Sequence, residues 1–73
     1  MNYTAFGVEV KKKLIDLGQS QVWLAEQVGK ETGLFVDGGY IYKILTGKRN
    51  APKIKASIEN ILGIMERSNE IDN

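Results

Sequence analysis

Apolar residues return along this chain at helical rather than strand spacing. Phe6, Val10, Leu14 and Leu17 follow at steps of four, four and three, the repeat of one helical face, and Gly18 stands where a left-handed C-cap ends such a helix. The first helix is therefore expected to start near Thr4. Ser20 occupies an N-cap position, and Leu24, Ala25 and Val28 carry the apolar face of a second helix that begins after a tight corner. Gly29 offers it one end; Lys30-Glu31-Thr32 can continue it to Gly33, which is the preferred end. Leu34-Phe35-Val36 resembles a strand but has no convincing partner strand, so a buried connector is expected. Asp37 can cap a third helix over residues 38–45, with Ile41, Ile44 and Leu45 inward and Gly47 beyond its end. Pro52 suits the first turn of a fourth helix, where its missing N–H has no helical partner anyway. Ile54, Ile58, Ile61 and Leu62 form the stripe of that helix, and Gly63 closes it.

After Gly63 the periodicity fades. Ile64, Met65 and Ile71 leave open a short last helix, a dimer contact or a frayed tail. With no internal repeat and only short linkers, the expected architecture is an all-α, compact bundle of four to five helices over residues 1–64, with 65–73 as a tail or short last helix.

Composition narrows the function classes. At 73 residues the chain makes one domain, which buries roughly 60% of its unfolded surface and has modest stability. It contains no cysteine, so neither disulfides nor thiolate metal sites are available, and a reducing compartment fits. No apolar run reaches the roughly 20 residues of a membrane span, and no basic-then-apolar leader opens the chain. A cytoplasmic protein without a membrane association is expected. There is no histidine, no phosphate-cradling glycine loop and no carboxylate pair set in an apolar stretch, which argues against an enzyme and for no cofactor or metal. Glu26 and Glu31 read as surface charges on a helix, and Lys11, Lys12 and Lys13 as a solvated face.

The net charge of +1 conceals a gradient. Between residues 43 and 55 lie Lys43, Lys48, Arg49, Lys53 and Lys55 with no acid, whereas Glu59, Glu66, Glu70 and Asp72 follow against Arg67 alone. One face is therefore expected to be basic.

A set of residues then becomes specific enough to compare: Gln21, Leu24-Ala25, Gly29, Tyr40-Ile41, Ile44, Thr46-Gly47-Lys48-Arg49 and Ile61-Leu62-Gly63-Ile64. Over residues 6–64 the chain resembles the Cro and phage-repressor type of helix-turn-helix domain, the lambda-repressor-like or xenobiotic-response-element family. In that family a small residue inside the first motif helix lets the recognition helix pack closely, and Ala25 matches it; Gly29 matches the glycine four residues later. The chain departs from the pattern between residues 29 and 40, where the connection is lengthened by either an extended helix or an inserted loop. Gly38 and Gly39 then open the recognition helix without the side chains that commonly read bases there.

The resemblance implies a sequence-specific, DNA-binding transcriptional regulator, a repressor of phage or mobile-element type acting in a bacterial or phage-infected cell. Its third helix would enter the major groove, where each base pair shows a distinct pattern. Lys43 is then the candidate donor to guanine, Tyr40 and Tyr42 candidates for a thymine methyl or a phosphate, and Gly38 and Gly39 a close approach of the helix N-terminus to phosphate. Thr46, Lys48, Arg49 and Lys53 would contact the sugar-phosphate backbone, and Gln21 would touch phosphate while bracing the recognition helix. Double-stranded DNA and a second copy of the chain are the expected partners. The alternative is a protein-binding antirepressor or inhibitor, or a recombination-directing factor, on the same fold. Trp23 is expected either to pack on Leu34-Phe35-Val36 as a buttress or to form, with Val22, a patch for a protein partner.

Overall fold

The computed structural model describes residues 2–64. It contains four helices: α1 (Ala5–Leu17), α2 (Gln21–Thr32), α3 (Gly38–Leu45) and α4 (Pro52–Leu62). No strand occurs among the described residues, and none of their helices is long and apolar enough to cross a membrane. Residues 65–73, expected as a tail or last helix, lie outside the described part.

Each boundary has a local cause. Thr4, Ser20 and Asp37 cap α1, α2 and α3, their side chains accepting hydrogen bonds from the N–H groups of Gly7, Trp23 and Tyr40. Gly18, Gly33 and Gly63 end α1, α2 and α4 in the left-handed conformation, where a Cβ would be strained. Pro52 opens α4, whose N-cap residue Ala51 supplies no side-chain hydrogen bond. The second helix runs past Gly29 to Thr32, and residues 33–37 make a short loop to α3. The lengthened connection is thus part helix and part loop.

Helix α2 packs against α3 and α4, and α1 packs against the same two helices from the other side of the sequence. Between them lies one core: Val10 and Leu14 from α1, Leu24, Ala25 and Val28 from α2, Ile41, Ile44 and Leu45 from α3, and Ile54, Ile58 and Leu62 from α4. Each large aliphatic side chain buried here contributes about 1.5–3 kcal/mol. Phe6 and Ile61 reach the core only in part, and Ile64 packs on its edge.

Three expectations need correction. Leu17 is 51% exposed, because it closes α1 at the corner where Gly18 turns the chain away. The connector is not buried: Val36 alone of its three apolar residues packs on the core, leaving Leu34 half in solvent and Phe35 91% exposed. A side chain so exposed cannot be covered by Trp23, which instead lies half-buried against the core. Glu31 is the exposed charge on α2 that was expected, and it also reaches α4. Its carboxylate accepts hydrogen bonds from the buried Ser57 hydroxyl and from the Asn60 amide, tying the last turn of α2 to α4.

The crossing of α1 and α3 is set by a glycine. Gly7 is buried, and a Cβ at this position would fall inside the contact radius of the Leu45 carbonyl oxygen and 3.0 Å from its carbon. Thr4 completes the junction. Its N–H and its hydroxyl both donate to that carbonyl, at 3.0 and 3.1 Å, while the same hydroxyl oxygen accepts from the Gly7 N–H at 3.0 Å.

Candidate nucleic-acid interface

Helix α3 has eight residues, with Ile41, Ile44 and Leu45 facing the core. At about 100° of rotation per residue, Gly39, Lys43 and Thr46 fall on the opposite side, with Tyr40 and Tyr42 flanking that outward stripe. Exposure follows the geometry: Gly39 and Lys43 are open to solvent, and both tyrosines are half-buried.

The two tyrosines face different neighbours. Tyr40 stands beneath the Arg49 guanidinium, whose carbon lies 5.4 Å from the ring centre. Tyr42 meets Tyr3 edge-on with centroids 6.0 Å apart, and Lys11 Nζ lies 5.4 Å from the centre of the Tyr3 ring. Both contacts hold the rings in place and leave the stripe between them to Lys43.

The loop after α3 folds back onto it. The N–H groups of Lys48 and Arg49 donate to the Lys43 carbonyl at 2.8 and 3.2 Å, and Gly47 adopts φ 79° to allow the reversal. The Thr46 hydroxyl donates to the Tyr42 carbonyl at 2.9 Å, with the Lys43 carbonyl at 3.3 Å. Thr46 is therefore committed to closing the helix. The loop carries Lys48 and Arg49 into solvent beside the outward stripe, and Lys53 is exposed in the first turn of α4. Lys55 turns elsewhere, with Nζ 4.9 Å from the centre of the Phe6 ring.

The start of α3 is open. A Cβ on Gly38 would meet Val22 Cγ2, and one on Gly39 would meet Asp37 Oδ1, each at an ordinary 3.5 Å. Val22, 59% exposed, therefore sits beside this end of α3, whereas Trp23 packs against the core. Phe35, Asp37, Gly39, Tyr40 and Lys43 line one open groove here. Gln21 lines another, with Lys11, Leu14 and Ile15 of α1; its side-chain oxygen is buried there without a hydrogen-bond partner.

Of the residues singled out from the sequence, Gly39, Tyr40 and Lys43 gather in one groove, with Arg49 stacked on Tyr40. Tyr42 and Gln21 face other surroundings. Sequence reasoning missed Phe35 in the groove, and missed Thr4 and Gly7, which hold the end of α3. A glycine amid a helical pattern was the available signal for Gly7, since it costs about 1 kcal/mol relative to alanine. Among the described residues, no three His, Cys, Asp or Glu side chains gather to hold a metal. No family model matches the chain, and no curated protein or solved structure shows a significant match to it.

Proposed function

We propose that this chain is a sequence-specific DNA-binding regulator of lambda-repressor-like helix-turn-helix type, in which α2 and α3 form the motif and α3 enters the major groove. The carrying observation is the outward stripe of α3: Lys43 stands exposed at its centre, and the loop bearing Lys48 and Arg49 is hydrogen-bonded back onto the Lys43 carbonyl. A single helix with a cationic ridge suits a groove about 12 Å wide. Lys43 donates to guanine O6 and N7. Tyr40 and Tyr42 contact thymine methyls or the backbone on either flank. The open Gly38-Gly39 end approaches a phosphate with its free N–H groups. Lys48, Arg49, Lys53 and Gln21 position the domain along the sugar-phosphate chain and carry no sequence information, while Thr46, its donors spent on the Tyr42 carbonyl, closes α3 instead of meeting a phosphate.

A homodimer places two such helices in half-sites about 34 Å apart, and occupying a promoter in this way represses it. A phage or mobile-element repressor acting in the cytoplasm is the corresponding biological role. A second reading, a protein-binding inhibitor on the same fold, is favoured by the exposed Val22, Leu34 and Phe35. The deciding experiment incubates the purified protein with random-sequence duplexes at near-physiological salt and sequences what is retained. An enriched palindrome is expected. Retention of nothing, or of all sequences equally, sinks specific recognition and favours the protein-binding role.

A further inference from the structure

We propose that Phe35, outside the recognition helix, is a base-reading residue that packs its ring on a thymine methyl at the edge of each half-site. This assignment rests on the DNA-binding function proposed above. Phe35 is the most exposed of the large apolar side chains among the described residues, and leaving such a ring in water forgoes about 1.5–3 kcal/mol of burial. Its position is specific. It lines the same groove as Gly39, Tyr40 and Lys43, on the outward side of α3 and opposite the face buried by Ile41, Ile44 and Leu45. Any duplex that meets Lys43 there also meets Phe35.

Gly38 and Gly39 leave the start of α3 without side chains, so the space beside Phe35 is not filled by the helix itself. The chemistry of the groove selects what enters it. Phe35 offers an apolar ring, while Lys43 lines the same groove and the Arg49 guanidinium stacks on Tyr40 beside it, so the groove pairs cations suited to an anionic duplex with one apolar surface that no phosphate satisfies. In the major groove the apolar group available to a phenyl ring is the C5-methyl of thymine. Charge complementarity and continuity with Lys43 thus favour DNA over a protein as the occupant.

The test uses the duplex recovered from the random pool. Each thymine of a half-site is replaced in turn by deoxyuridine, which removes only the methyl group, and binding is measured for the wild-type chain and for Phe35→Ala. One replacement per half-site is expected to weaken wild-type binding roughly fourfold, the equivalent of one buried methyl. Phe35→Ala should bind thymine and deoxyuridine duplexes alike, with a salt dependence unchanged from wild type because no phosphate contact is lost. The assignment is overturned if thymine discrimination persists in Phe35→Ala, or if the variant binds as tightly as wild type. It is also overturned if sedimentation shows that the substitution weakens binding only by dissociating a dimer. If the wild-type chain retains no duplex, the DNA-binding function and this assignment fall together; a bound duplex indifferent to Phe35 overturns this assignment alone.

Discussion

The two ends of α3 treat glycine in opposite ways. At its C-terminal end the helix is pressed against α1 so closely that Gly7 has no room for a methyl group beside the Leu45 carbonyl. At its N-terminal end Gly38 and Gly39 have room for one, with neighbours at 3.5 Å. The first glycine is a packing requirement. The other two are not required by packing. One end of α3 is held by close packing and the other stands open.

The largest expected effect breaks that contrast at its rigid end. Gly7→Ala gains about 1 kcal/mol of helix propensity but forces backbone apart from backbone, with no flexible side chain to yield. A net loss of about 3 kcal/mol is expected, which for a domain this size lowers Tm by more than about 12 °C in a circular-dichroism melt. A variant that melts within two or three degrees of wild type, an interval on the order of the scatter below 1 kcal/mol, would show that the crossing is looser than described. Glu31→Ala comes next. It strips the buried Ser57 hydroxyl of its partner and should cost about 1–3 kcal/mol of stability in urea, while leaving DNA affinity per folded molecule unchanged.

At the free end the effects are on binding. Lys43→Ala should cost about 1–3 kcal/mol on the preferred duplex and little on random duplex, whereas Arg49→Ala should weaken both equally. Equal losses from Lys43→Ala on the two duplexes would remove it from base reading. The smallest effect is expected from Gly39→Ala, where a methyl group meets only Asp37 Oδ1 at ordinary distance. Stability should stay level or rise by up to about 1 kcal/mol. If Gly39→Ala destabilises as Gly7→Ala does, the contrast between the two ends is gone.

Helix limits were legible because local chemistry dictates them. Thr4, Ser20, Asp37 and Pro52 mark starts, and Gly18, Gly33 and Gly63 mark ends, each acting within one turn of its own position. What escaped notice depends on distant neighbours. The helical repeat that brings Leu14 inward also points to Leu17, and only the end of the α1 packing surface separates them. Phe35 looked like core because its apolar neighbours suggested a buried run, yet Val36 alone found a place inside. Glu31 meets its partners 26 and 29 residues later, beyond the reach of any local pattern. Within the candidate interface the outward placement of Lys43 was readable from the helical period, but the stacking of Arg49 on Tyr40 depends on how the loop reverses at Gly47.

If α3 grips DNA as proposed, the junction at Thr4 ties occupancy of the duplex to survival of the fold. An eight-residue helix is below the roughly 12–15 residues at which isolated helices become even marginal in water. Helix α3 exists because Thr4, 41 positions away in sequence, donates to its last carbonyl and because α1 closes over it. A synthetic peptide of the α3 sequence should therefore be unstructured, and on the proposed function the population able to grip a duplex would equal the folded population. Mass action would then run both ways: a duplex at 100 times its Kd would add about 2.7 kcal/mol to stability, and warming the protein through its melting transition would release the duplex in the same step that dissolves the helix.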